Sequence, residues 1–221
     1  MIGICEVLGA GFQFDNAERR DWLFRDIDFQ IPEGECVALM GPSGTGKTTL
    51  LHGLAGIAQL SEGTSKLNGT QISGISQREV REHLRESVAI IFQEHLLIPS
   101  LILFENVELS WALAGKPKNI TPTTVLDRLA IGDERDSLPE AVSGGQAQRV
   151  AIARALAGGP KLLFADEPTG SLDEDNARRA MGEITDWCSA QDAHALIVTH
   201  DPGIAELCDR IVRLDEGTIN A

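Results

Sequence analysis

The stretch Cys36-Val37-Ala38-Leu39-Met40-Gly41-Pro42-Ser43-Gly44-Thr45-Gly46-Lys47-Thr48-Thr49-Leu50-Leu51-His52-Gly53-Leu54-Ala55 decides the fold. Its middle satisfies G-x-x-x-x-G-K-[ST], the pattern of a phosphate-binding loop. Cys36 to Met40 is a short apolar run of the kind a buried parallel strand shows, and Thr48 to Ala55 can form a helix with Leu50, Leu51 and Leu54 inward. Strand, loop and helix in that order make an anion site. Glycines at 41, 44 and 46 let consecutive N–H groups turn inward, and the helix N-terminus adds its partial positive charge. Lys47 is placed to reach the β- and γ-phosphates of a nucleotide as a point charge, with the Thr48 hydroxyl completing a Mg²⁺ shell of phosphate oxygens and water. The candidate polyphosphate site is therefore Gly41, Pro42, Ser43, Gly44, Thr45, Gly46, Lys47, Thr48 and Thr49.

The rest of the chain bounds the partners. At 221 residues, 43% of them apolar, it suits one large domain or a domain with a sizeable insertion. A net charge of −14 argues against a nucleic-acid surface and against adhesion to anionic lipid, both of which need a basic patch. Cys5, Cys36, Cys188 and Cys208 are scattered without a C-x-x-C, so reduced and mostly buried thiols are expected rather than disulfides or zinc ligands. Met1 to Glu6 lacks the start of a secretory signal, and no apolar stretch approaches the ~18 residues of a membrane span. A cytosolic chain with no direct lipid insertion is the expectation. The most apolar segment, Leu96 to Phe104, is interrupted by Pro99 and Ser100, and reads as a loop leading into a helix.

From Ile2 to Ile31 the pattern is strand-like, with Ile27, Phe29 and Ile31 inward against Asp26, Asp28 and Gln30, as in an antiparallel edge layer. Phe12 and Phe14 lie in it, each suited to stack on a base or to pack in the core. A hairpin is expected around Asn68-Gly69 and a charged, solvated helix from Gln77 to Ser87. Ser87 to Phe92 reads as a buried strand that delivers Gln93 at its end.

Beyond Gln93 the character becomes helical: Leu103 to Leu113 with Glu105 and Glu108 outward, then a cap at Thr121 followed by Pro122. Ser143-Gly144-Gly145-Gln146 opens a strong helix through Leu156, and a serine with exposed glycines at a helix N-terminus makes either a plain cap or a second anion site. Lys161 to Ala165 is an apolar strand ending in Asp166 and Glu167. Paired acids at such a strand end suit a division of labour in which one sits near Mg²⁺ and one near an attacking water. Ala195 to Thr199 delivers His200 in the same way, and Arg210 to Leu214 reads as the last strand.

With these pieces in order the sequence resembles the ATP-binding subunit of ABC transporters over essentially its whole length. The resemblance rests on the phosphate loop, on Gln93 as the Q-loop, and on Ser143-Gly144-Gly145-Gln146 as the signature. It also rests on Asp166-Glu167 closing the Walker-B strand, His200 as the switch histidine, and Ser171-Leu172-Asp173 as the D-loop. It implies an α/β fold: a P-loop NTPase (RecA-like) core with a mostly parallel sheet, an antiparallel β layer near the N-terminus and a helical insertion. The implied core is 1–93 with 161–221, and the helical subdomain carrying the signature is 94–160. Further implied are Phe12 against adenine, Mg²⁺ held by Thr48, Gln93 and Asp166, catalysis by Glu167 with His200 and Gln93, and nucleotide contacts from the signature and Asp173.

Asp166-Glu167-Pro168-Thr169-Gly170, Phe92-Gln93 and Glu105-Asn106-Val107 are similar to one branch of that family, which serves lipoprotein release, macrolide and peptide export and cell division. The resemblance implies a subunit that pairs head to tail with a second copy on MgATP and drives integral membrane permease subunits. Its alternatives are an ATPase regulating a cell-division or envelope-remodelling membrane protein, and a soluble ABC ATPase. Leu96-Leu97-Ile98-Pro99 is too apolar for a bare loop, so a cover is expected, either the helix from Leu103 to Leu113 or a short helix of the permease.

Overall fold

The structure is a computed structural model that describes residues 5–16 and 19–220. Contacts divide the chain into two compact units, Met1–Leu84 with His194–Ala221, and Arg85–Ala193.

In the first unit, β1 (Cys5–Asn16) and β2 (Arg19–Ile31) pair antiparallel. Strict alternation puts Ile27, Phe29 and Ile31 in the core while Asp26, Asp28 and Gln30 face water. Next, β3 (Cys36–Met40) is buried along its whole length and leads through residues 41–46 into α1 (Lys47–Leu54), whose Leu50, Leu51 and Leu54 are fully buried. β4 (Glu62–Leu67) and β5 (Thr70–Gln71) form the hairpin at Asn68-Gly69, both residues at positive φ as a tight two-residue turn needs. The antiparallel order is β2-β1-β4-β5. A charged helix, α2 (Gln77–Ser87), carries the chain from the first unit into the second.

The second unit opens with β6 (Val88–Ile91). Its residues 88–90 are half-buried, not enclosed as the apolar run suggested. Then come α3 (Leu103–Leu113), α4 (Pro122–Arg128) with Thr121 as its N-cap, and α5 (Gly144–Ala157). β7 (Leu162–Asp166) pairs parallel to β6 and is wholly buried. α6 (Glu174–Gln191) completes the unit, turning Ala177, Ala180, Met181, Ile184 and Trp187 inward at helical spacing.

Back in the first unit, β8 (His194–Val198), the short α7 (Pro202–Ala205), β9 (Arg210–Asp215) and β10 (Thr218–Asn220) follow. β10 is a strand beyond the one read as last; Gly217 at positive φ lets it fold antiparallel onto β9. β3 lies between β8 and β9, parallel to both, so the order within this unit is β10-β9-β3-β8. Parallel neighbours on both sides explain why β3 and β8 are continuous apolar runs.

Candidate functional site

β3 stops at Met40 and the chain turns at once, because Gly41 passes so close to β9 that a Cβ there would collide with the Leu214 carbonyl oxygen. At the other end of the loop Gly46, at φ 98, caps α1, and a Cβ would meet Leu23 Cγ and Phe24 Cδ1 at 2.9 Å. Neither position admits another residue without moving its neighbours. Between them Thr45 Oγ1 donates to the Pro42 carbonyl at 3.0 Å, tightening the turn. Lys47 begins α1 yet is only 8% exposed, since its Nζ donates to the carbonyls of Gly41 (2.8 Å) and Pro42 (2.7 Å). Two of the three donors of the ammonium go to these carbonyls, which fixes the cation at the centre of the loop. Ser43, Gly44 and Thr48 are exposed on the loop and Thr49 is half-buried.

Phe12 is half-buried, its ring 6.3 Å from that of Phe24 and tilted by 36°. Phe24 in turn walls Gly46, so Phe12 stands one ring away from the phosphate loop. The Phe14 side chain lies outside the described residues. His200 is exposed at the same end of the sheet: the Thr199 N–H donates to Leu39 (3.2 Å), and Thr199 Oγ1 accepts from Asp201 (3.1 Å). These bonds fix the backbone on both sides of the histidine.

In the second unit Asp166 closes β7 at 4% exposure, and Glu167 follows at φ 48. A left-handed glutamate costs about 1–2 kcal/mol of backbone strain. It is held by a turn in which Gly170 donates to the Glu167 carbonyl (3.2 Å) and Leu172 to that of Thr169 (3.0 Å).

Ser143 caps α5 reciprocally with Gln146: Ser143 Oγ accepts from the Gln146 N–H (3.2 Å) and Gln146 Oε1 from the Ser143 N–H (2.9 Å). Gln146 Nε2 also donates to Glu134 at 2.7 Å. Beside this cap, a Cβ on Gly144 would meet nothing within 4 Å, whereas one on Gly145 would stand 3.2 Å from Leu172 Cδ2. The signature and the D-loop therefore share one concavity, lined by Ser143 to Gln146, Arg149 and Ser171 to Asp173. The Asp173 carboxylate caps α6, accepting from the Asn176 N–H (2.9 Å) and side-chain amide (2.7 Å). Those bonds, with a smaller part from the charge of Arg149, lower its pKa below the usual carboxylate value.

Gln93 is exposed just past β6, and the loop after it is fastened from behind. Arg154 donates to the carbonyls of His95 (2.9 Å) and Leu96 (2.6 Å), and burial lowers the pKa of its guanidinium. Asn106, 1% exposed, accepts from the Ile98 N–H (2.7 Å) and donates to the carbonyls of Ile98, Leu101 and Ile102. Sequence reasoning assigned neither residue a role. Asn106 stood in the quoted Glu105-Asn106-Val107 run; Arg154 looked like one more helix former.

The Thr48 hydroxyl, the Gln93 amide carbonyl and the Asp166 carboxylate are each a hard oxygen donor of the kind Mg²⁺ takes. Among the described residues no three His, Cys, Asp or Glu side chains form a metal cluster.

The chain is similar to known proteins. A family profile described as ABC transporter matches residues 24–170. The bacitracin export ATP-binding protein BceA of Halalkalibacterium halodurans is 35% identical over 221 residues, covering 99% of this chain and 87% of BceA. The macrolide export ATP-binding/permease protein MacB of Marinobacter nauticus is 37% identical over 200 residues, 89% of this chain but 31% of MacB. The dimeric post-hydrolysis state of the ATP-binding cassette MJ0796, bound to ADP and Pi, superposes with a TM-score of 0.90 at 28% identity, covering 98% of this chain and 97% of that one. With that fold, a P-loop NTPase core, and a family match across most of its length, the chain belongs to the ABC transporter family as an ATP-binding cassette that hydrolyses ATP.

Proposed function

We propose that two copies of this chain close head to tail on MgATP, and that the cycle of closure and hydrolysis drives a separate integral membrane permease of export or lipoprotein-release type. One observation carries the reading. The chain carries two helix N-termini suited to an anion, one beside Lys47 and one capped by Ser143 with Gly144 open beside it, while its sequence holds a single phosphate loop. A second copy gives the second N-terminus a phosphate to bind. The dimeric MJ0796 cassette supports this, as do the export roles in the names of BceA and MacB.

In this reading Lys47 and the N–H groups of residues 43–48 hold the β- and γ-phosphates, and Phe12 faces the base. Thr48, Gln93 and Asp166 would hold Mg²⁺, which would neutralise phosphate charge during transfer. Glu167 takes the proton of the attacking water, His200 steadies the γ-phosphate, and Asp173 holds the D-loop beside the signature. Leu96 (53% exposed) and Ile98 (37%) support a permease contact, because the helix that was one candidate cover leaves them open. A groove of about 200 Å³ between β6, α3 and α5, with Val88 and Leu113 on its walls, lies in the same unit. The cassette then works at the inner face of the cell membrane, held there by its permease; among the described residues no helix is long and apolar enough to cross a membrane. The acidic balance supports neither a nucleic-acid partner nor direct lipid contact.

The test is Glu167→Gln. It should bind MgATP, lose about 10²–10⁴ in turnover as removal of a general base does, and accumulate as an ATP-bound dimer on size exclusion. Only monomer with ATP, or an undiminished rate, overturns the reading.

A further inference from the structure

Of the four cysteines, two are neighbours in space though 172 positions apart: Cys36 Sγ and Cys208 Sγ lie 3.5 Å from each other. Both backbones are locked beside the pair. The Asp209 N–H donates to the Cys36 carbonyl (2.9 Å), and the Cys36 N–H donates to the Asp209 carboxylate (2.8 Å), so the residue after Cys208 is tied to Cys36 in both directions. The sulfurs must close by about 1.5 Å to reach the ~2.05 Å of an S–S bond, while the backbone bonds hold the two segments together. Exposure divides their roles: Cys36 is 2% exposed and Cys208 half-buried, packed against the Ala38, Met40 and Ala205 cluster. A small oxidant reaches Cys208 first. Cys5 offers a contrast, since burial, and after it the charge of Glu6, pushes its thiol pKa far above the ordinary value.

We infer that Cys36 and Cys208 form a modification site, oxidised by a hydroperoxide to an intrachain disulfide that staples the start of β3 to the segment leading into β9. The Cys208 thiolate attacks a peroxide oxygen, so the O–O bond breaks, a sulfenic acid forms and hydroxide leaves. Cys36 then attacks that sulfur; the S–S bond forms as the S–O bond breaks, and the Cys36 proton leaves with the departing hydroxide as water. Two thiols and one hydrogen peroxide give one disulfide and two waters. The staple closes a long loop, which constrains the unfolded chain strongly. It lies at the end of β3 away from the phosphate loop, five residues from Gly41, so it stiffens the strand that carries the loop without filling the site.

The purified chain is treated with hydrogen peroxide, blocked with iodoacetamide after denaturation, and mapped by mass spectrometry without reductant. The expected product is one cross-linked peptide pair containing Cys36 and Cys208, about 2 Da lighter than its two free-thiol peptides together and reversed by dithiothreitol. Its thermal midpoint should rise by roughly 5–10 °C. Cys208→Ser should show neither the cross-link nor the rise. Alkylated Cys36 beside a sulfinic Cys208, a cross-link through Cys5 or Cys188, or an unshifted midpoint in the cross-linked protein overturns the inference. The wild-type map decides the first two without any variant.

Discussion

The loop at 41–49 and the loops of the second unit satisfy themselves in opposite ways. The first closes inward: its cation is bonded to its own carbonyls, its glycines sit against β9 and β2, and little of Lys47 meets solvent. The signature at 143–146 and the segment at 95–99 are fastened from behind, by Gln146 and Glu134 in one case and by Arg154 and Asn106 in the other. Their fronts stay open, with bare space at Gly144 and aliphatic side chains at 96 and 98. Under the proposed function the inward-closed loop holds the nucleotide, and the loops braced from behind meet a second copy or the permease.

The sharpest break of that contrast is Lys47→Ala. If the lysine is the centre of a ligand site, losing its charge-assisted bonds should cut ATP affinity by ~10²-fold or more, read by calorimetry. It also leaves two carbonyls without their donor, so the loop itself loosens. An unchanged affinity would mean that the inward closure is only structural.

Gly144→Ala probes the other side. No φ in the left-handed region is recorded for Gly144, and an added methyl meets nothing within 4 Å, so the monomer should fold with an unchanged or slightly raised thermal midpoint. ATP should bind the phosphate loop as before. When a second copy must close on that face, the methyl is in the way, and an overpacking cost of about 1–3 kcal/mol lowers ATP-dependent dimerisation and turnover by ~5–150-fold. Full turnover in this variant says that the open front is not an interface. Gly145→Ala is the poorer probe, because its methyl would already crowd Leu172 within the monomer.

What the sequence made legible follows the same divide. The strand, loop and helix around Lys47 depend on local rules, and so do the Asn68-Gly69 turn, the Thr121-Pro122 start of α4 and the Ser143 cap. Bonds that cross many residues left no local mark. Arg154 serves carbonyls 58 and 59 positions away, and nothing in an alanine-rich helix announces it. α6 went unread because its inward stripe is built partly on small alanines, with Gly182 interrupting. The run from Ser87 to Phe92 reads as an enclosed strand, since composition cannot tell an edge from a centre; among the described residues β6 pairs with β7 and with no other strand. The roles proposed for Gln93, His200 and Asp173 rest on family likeness, because a lone polar residue past a strand has no chemistry of its own to read.

The smallest expected effect belongs to Ile98→Ser, and it separates a brace from a front most finely. The backbone of residue 98 is held at both its N–H and its carbonyl by Asn106, and neither bond involves the isoleucine side chain. That side chain is already 37% exposed. Replacing it should therefore forfeit only part of the ~2 kcal/mol of a fully buried aliphatic side chain, and lower the thermal midpoint by about 2–4 °C at most. Basal ATPase, which depends on residues outside this loop, should stay within about twofold. Co-purification with the permease should weaken, because the apolar contact is what the loop offers. A loss of stability of the size seen for large-to-small changes in a packed core, about 2–5 kcal/mol, would mean that Ile98 is packed from inside and that this face is no docking surface. A stable variant that still co-purifies fully would move the contact elsewhere, to the groove beside Val88 and Leu113.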